Sequence, residues 1–208
     1  MVRSILTMAA AFGLALAQTQ YLNQSAPFNL VLSSENSTLD GLKLGACHSG
    51  AAVESLCVFA NISTPQFLTF YLNGTAEPPT QPGYLAAGLL TWMFTGGVPE
   101  FTQSTAMAFL YNEASNLAFP LIWPSADNSQ PVSFTADGLL AVQASVDDTL
   151  SPPEPFENYV TYITDRWAIC VTYWQGYDYT ALQYVLGNQK PQNPSCELVK
   201  VRRVFLES

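Results

Sequence analysis

Short apolar runs, separated by glycine, proline, asparagine and aspartate, follow one another along the chain and restrict its fold more than any other feature. Runs of about 4–8 residues bounded by turn-forming residues are typical of strands, whereas helices need longer segments with a period of 3.6. The runs lie at 28–32, 42–44, 66–72, 84–94, 107–111, 117–123, 132–135, 139–143, 167–174, 180–186 and 199–202. Past the N-terminal segment, one or two helical turns are expected only at 50–56. The sequence therefore predicts an all-β fold, an antiparallel β-sandwich or barrel-like single domain with two disulfides.

Two turn signals indicate which runs pair. Asp137-Gly138 predicts a hairpin between the runs on either side of it, because glycine tolerates the positive φ that tight turns require. Gln175-Gly176 returns the chain in the same way further on. The acidic, proline-rich stretch 147–155 is expected to form a long surface loop within the one domain.

The N-terminus has the features of a secretory signal peptide. Arg3 supplies a positive charge, 5–17 is apolar, and Ala15-Leu16-Ala17 matches the small-x-small pattern at a cleavage site. The apolar run is too short to span a membrane. We therefore expect a signal peptide at 1–17, a secreted domain at 18–208, and no membrane anchor.

Four cysteines allow three disulfide pairings, and the sequence alone does not choose among them. We expect Cys47–Cys57 and Cys170–Cys196, because each pair closes a loop within one local unit. An even number of cysteines in an oxidising compartment argues against a free nucleophilic thiol.

Charge is scarce and negative. Charged residues make up 11% of the chain, against about 25% in typical proteins, and the formal net charge is −9. Loss of Arg3 with the signal peptide would change the formal net charge from −9 to −10. Since so acidic a surface repels phosphate, we expect no nucleic-acid partner. Four sequons predict N-glycosylation at Asn23, Asn36, Asn61 and Asn73.

Few residues suggest catalysis. His48 is the single histidine, which excludes a multi-histidine zinc site, and no Gly-x-Ser-x-Gly elbow or glycine-rich phosphate loop is present. We therefore expect no cofactor and no metal, and interpret His48 as a loop histidine with local hydrogen bonds. Glu54, like most of the acids, falls in a predicted loop or turn and is interpreted as solvated. Glu113 and Asp178 lie beside tyrosines and are the candidates for a glycosidase carboxylate pair.

Aromatic residues cluster around the turn at 175–176. Trp174, Tyr177 and Tyr179 could stack on sugar rings, with Asp178 accepting hydrogen bonds from hydroxyl groups. These four residues are the predicted binding site. The alternative is that the rings pack across the sheet, as aromatic residues in strands usually do.

Two stretches carry a resemblance to a known family. They are 28–32 continuing through 45–52, and 166–174 continuing to 191–196. Together they resemble a family of small secreted proteins from filamentous ascomycete fungi with two cysteine pairs and no assigned activity. The resemblance implies a fungal, extracellular, disulfide-linked β domain, and it transfers no catalytic residue.

Three functions are consistent with this sequence. The leading hypothesis is a non-catalytic, N-glycosylated protein of the fungal cell wall or extracellular matrix, with cell-wall polysaccharide as its ligand. The alternatives are a small secreted glycoside hydrolase that uses a carboxylate pair, and a secreted effector that binds a host protein through an apolar patch.

Overall fold

The computed structural model describes residues 23–60, 64–76, 81–124, 128–144 and 162–207. Within these residues it contains fourteen strands, all paired antiparallel, and one short 3-10 helix at Pro65–Leu68. The strands are β1 (Asn23–Gln24), β2 (Phe28–Ser33), β3 (Lys43–Gly50), β4 (Val53–Phe59), β5 (Phe70–Gly74), β6 (Gly88–Gly96), β7 (Phe101–Tyr111), β8 (Leu117–Trp123), β9 (Pro131–Phe134), β10 (Leu140–Ala144), β11 (Tyr162–Thr164), β12 (Trp167–Trp174), β13 (Tyr177–Val185) and β14 (Glu197–Phe205). The predicted all-β antiparallel fold is confirmed.

The expected helical turn at 50–56 is wrong. Ala51 and Ala52 form a turn, Ala52 has a φ of 56°, and β4 begins at Val53. β4 pairs with β3 along most of its length and also with β8, and these pairings override a weak local preference for helix. The predicted surface loop at 147–155 lies outside the described residues.

The strand pairings form a closed circuit. From β2 it passes through β5, β6, β7, β8, β13, β12 and β14 and returns to β2. The β3–β4 hairpin connects β2 to β8 across this circuit, while β9, β10 and β11 extend from β6. Because a closed circuit leaves few strand edges unpaired, the fold is barrel-like and protected against edge-to-edge association.

The main core fills the interior of this circuit. Trp167 is 1% exposed and donates its indole N–H to the carbonyl oxygen of Leu140 at 2.8 Å. Phe28 packs edge-on against Phe134, with ring centroids 5.6 Å apart. Met107, like the two phenylalanines, is fully buried. Alternate residues of the strands thus supply a single large apolar interior.

Both expected disulfides are present. Cys47–Cys57 links β3 to β4, with Cα atoms 5.8 Å apart. Cys170–Cys196 links β12 to the residue just before β14, with Cα atoms 4.1 Å apart. Each bridge belongs to a small apolar cluster outside the main core, where a covalent link adds to modest apolar burial. Among the described residues, no helix has the length and apolar character that crossing a bilayer requires.

Candidate ligand-binding groove

The four residues of the predicted hairpin site do not share one surface. In the β12–β13 register Trp174 lies opposite Tyr177, and Tyr173 lies opposite Asp178. Side chains alternate between the two faces of a strand, so Trp174, Tyr177 and Tyr179 share one face. Asp178 lies on the other face, beside Tyr173.

Two of the three predicted rings serve as anchors for the hairpin. Trp174 is half-buried, packs edge-on against Phe119 with centroids 6.2 Å apart, and donates its indole N–H to the carbonyl of Ser49 at 3.0 Å. The Tyr179 hydroxyl donates to the carbonyl of His48 at 3.2 Å. Tyr177, by contrast, is 68% exposed. The geometry therefore leaves Tyr177 as the open ring on this face.

The remaining sequence candidates are scattered. Glu113 is exposed in the turn between β7 and β8. Among the sequon asparagines, Asn23 is exposed on β1, whereas Asn36 and Asn73 are half-buried. Asn61 lies outside the described residues.

A groove of about 450 Å³ lies where the 3-10 helix and the end of β6 meet the β3–β4 hairpin. Its volume is within the range of small-molecule sites, which are concave and mostly apolar with a few polar groups. The described residues that line it are Ala46, Cys47, His48, Glu54, Phe59, Thr64, Phe67, Trp92, Phe94 and Thr95. Four of these ten carry aromatic rings other than imidazole, so contact with a ligand here would be largely aromatic.

A continuous row of rings runs along one side of this groove and out to the surface. Phe67 stacks on Trp92 at a centroid distance of 6.3 Å and an interplanar angle of 15°. Phe94 meets Trp92 edge-on at 6.3 Å, and Phe101 lies 5.8 Å beyond Phe94. The indole N–H of Trp92 donates to the carbonyl of Gln66 at 2.9 Å, which fixes the central ring to the 3-10 helix.

Two glycines let these walls form. At Gly45, an added Cβ would lie 2.9 Å from two atoms of the Phe59 ring, so this ring rests directly on the β3 backbone. At Gly96, an added Cβ would lie 2.8 Å from Cζ of Phe94. A side chain at either position would require the ring to shift, so glycine suits the observed approach of both rings to the backbone.

Glu54 supplies the carboxylate of the groove. It lies on β4 opposite His48 of β3, and on its other side opposite Ile122 of β8. Glu54 is 7% exposed, and its Oε1 lies 3.7 Å from Nδ1 of His48, whose side chain is 78% exposed. Burial raises the pKa of the Glu54 carboxyl above its ordinary value of 4.5, and the neighbouring imidazole offsets part of this rise.

The interpretation of Glu54 as a solvated turn acid is therefore wrong, and His48 lies on a strand rather than in a loop. The error at Glu54 came from treating 50–56 as helical or loop sequence. The signal that could have located Glu54 is the alternation of Glu54, Leu56 and Val58, which places the acid on the apolar, inward side of β4. An acid at such a position is informative, because buried carboxylates are rare.

The groove is suited to binding. Its described lining contains one carboxylate, whereas a glycosidase pair needs two acids that face the same bond. It contains no lysine or arginine, so its described residues offer no cation to an anionic ligand. Aromatic rings beside a hydrogen-bond acceptor suit a ligand with an apolar face and donor groups.

The fold and the groove thus define an antiparallel, disulfide-linked all-β domain with an aromatic-lined groove. The chain belongs to the family described as a domain of unknown function, DUF7907, whose model matches residues 25–205. No curated protein and no solved structure is detectably similar to it.

Proposed function

We propose that this is a secreted, N-glycosylated, non-catalytic protein of the fungal cell wall or extracellular matrix that binds carbohydrate in the groove between the 3-10 helix and the β3–β4 hairpin. The observation that carries the proposal is the buried carboxylate of Glu54 in a groove walled by Phe67, Trp92 and Phe94. Sugar rings have apolar C–H faces that pack on aromatic rings, and hydroxyl groups that donate to a carboxylate.

Several further features support this location and class of function. Two disulfides are compatible with an oxidising, extracellular environment. The Trp92 ring is fixed by its hydrogen bond, and Phe67 and Phe94 pack against it, so little side-chain freedom would be lost on binding. The hairpin around Tyr177 is the competing location, because that ring is exposed.

The test is a glycan array on the secreted protein, followed by calorimetric titration of the glycans that bind. Phe94→Ala removes a groove ring, and Thr95→Phe narrows the groove from an exposed position on β6. Tyr177→Ala, which removes an exposed ring of the hairpin, is the matched control. We expect the two groove variants to lose about tenfold or more in affinity, since losing a stacked ring or the room for a sugar costs at least about 1.4 kcal/mol.

Loss of binding in Tyr177→Ala with wild-type binding in both groove variants would move the site to the hairpin. Absence of binding to every glycan would reject a carbohydrate ligand. Release of reducing sugar from a bound glycan would show that the protein is a glycoside hydrolase rather than a non-catalytic binding protein.

A further inference from the structure

We infer that the groove selects a carbohydrate with a free ammonium group, an amino-sugar unit without an N-acetyl group, over neutral and anionic sugars. This rests on the proposed function, because it specifies which sugar the same groove takes. Three features of the described residues favour a cationic occupant: the burial of the Glu54 carboxylate, the aromatic rings that line the same groove, and the distribution of charge.

The Glu54 carboxylate is short of countercharge. Burial removes most of the water that would solvate it, and the side chain keeps 9% of its accessible surface. The nearest basic group is the imidazole of His48, at 3.7 Å, which is longer than a hydrogen bond and carries charge only when protonated. A buried carboxylate of this kind is stabilised by a fixed cation that enters with a ligand.

The aromatic wall favours the same kind of group. The faces of aromatic rings carry negative partial charge and attract ammonium ions, most strongly at tryptophan. Trp92 and Phe94 line the groove together with Glu54, so an ammonium group inside it would meet both a carboxylate and aromatic rings. A neutral hydroxyl or acetamide group forms neither an ion pair with the carboxylate nor a cation–π contact with the rings.

The charge distribution excludes the opposite class of ligand. The lysines and arginines among the described residues are Lys43, Arg166, Lys190, Lys200, Arg202 and Arg203, and none of them lines the groove. The whole chain carries a formal charge of −9. A uronic acid or a phosphorylated sugar would therefore enter a negative field next to a carboxylate.

The experiment compares three short oligosaccharides of equal length by isothermal titration calorimetry: oligomers of glucosamine, of N-acetylglucosamine and of galacturonic acid. We expect the glucosamine oligomer to bind at least about tenfold more tightly than the N-acetylated one, and the galacturonic acid oligomer to bind least. Glu54→Gln keeps the shape of the side chain and removes its charge. This variant should lose about 10-fold to 100-fold in affinity for the glucosamine oligomer, where it removes a charged contact, and clearly less for the N-acetylated one, where it removes only a hydrogen-bond acceptor for hydroxyl groups.

Glu113→Gln is the matched charge control, because it removes one negative charge from an exposed turn. The melting temperatures of both variants show whether the fold is kept. Affinity at lower pH gives a further readout. The titratable residues among the described groove lining are Glu54 and His48. Binding of the glucosamine oligomer should weaken as the Glu54 carboxylate becomes protonated.

Three outcomes would overturn the inference. Equal affinities for the glucosamine and N-acetylglucosamine oligomers would leave the proposed function standing without ammonium selection. Equal losses in Glu54→Gln and Glu113→Gln would show attraction to net charge rather than to this groove. Absence of binding by all three oligomers and by the glycan array would reject the proposed function together with the inference.

Discussion

The indole N–H of Trp174 donates to the backbone carbonyl of Ser49 across 3.0 Å, joining residues that lie 125 positions apart. The contact fastens the tip of the β12–β13 hairpin to the end of β3. The Tyr179 hydroxyl makes a second link to the neighbouring His48 carbonyl. The hairpin rings that suggested a sugar platform thereby also brace the strand that carries one side of the groove.

This contact predicts how Trp174 variants behave. Trp174→Ala should lower the free energy of unfolding by about 2–3 kcal/mol, somewhat less than the loss for a fully buried tryptophan, because the ring is half-buried against Phe119. Trp174→Phe keeps a ring and loses the hydrogen bond, so its cost should be about 1 kcal/mol. Urea unfolding measures both; wild-type stability in Trp174→Ala would show that the ring does not anchor the hairpin.

The contact of Phe59 with the β3 backbone gives a second prediction. Gly45→Ala should destabilise the domain by about 1–3 kcal/mol, because the new Cβ would lie 2.9 Å from the Phe59 ring and 3.0 Å from Leu68. Gly50→Ala on the same strand is the control, since its Cβ would lie 3.5 Å from the nearest atom, an ordinary contact. Thermal unfolding compares the two variants. Equal melting temperatures would show that Phe59 and Leu68 do not pack tightly on the β3 backbone at Gly45.

The raised pKa of the Glu54 carboxyl predicts a pH dependence of stability. Burial raises the pKa of its carboxyl in the folded protein above the ordinary value of 4.5, so between pH 4.5 and the raised pKa the folded state holds a proton that the unfolded state has released. The stabilising contribution of the protonated carboxyl is complete below pH 4.5 and is lost as pH rises through the raised pKa. Chemical unfolding at a series of pH values should therefore show wild type losing stability relative to Glu54→Gln over that interval. A constant difference between the two proteins at every pH would rule this out.

The two disulfides should contribute unequally. Their sequence separations are 26 for Cys170–Cys196 and 10 for Cys47–Cys57. In the chain-entropy account the longer loop stabilises by about 3.5 kcal/mol and the shorter by about 2.7 kcal/mol. Replacing each pair by alanine and measuring unfolding in denaturant gives the two costs. A larger cost for removing Cys47–Cys57 would point to its packing beside the groove as the stronger contribution.

Much of the fold followed from local sequence pattern. The predicted strands 117–123 and 167–174 coincide with β8 and β12, because period-two alternation and flanking turn residues act over a few residues. The hairpin at Asp137-Gly138 formed for the same local reason, and Gly138 has a φ of 87°. Both disulfide pairs were also expected, since each joins neighbouring segments.

The candidate site was missed because it is assembled from distant segments. The groove combines the β3–β4 hairpin with Phe67 of the 3-10 helix and with Trp92 and Phe94 of β6. The burial of Glu54, which raises the pKa of its carboxyl, accompanies the pairing of β4 with both β3 and β8. In the local sequence Glu54 follows Gly50-Ala51-Ala52-Val53, and nothing there distinguishes it from a solvated acid.

The sequence by itself determined the secondary-structure class and the positions of most strands and turns. These depend on backbone preferences and on the alternation of side chains between two faces, which neighbouring residues settle. Only the tertiary structure decided which faces point inward. It left Trp174 half-buried at its contact with Ser49 and Tyr177 in solvent, and it buried Glu54 in the groove that aromatic rings also line, because burial depends on strand register and on packing between residues far apart in the chain.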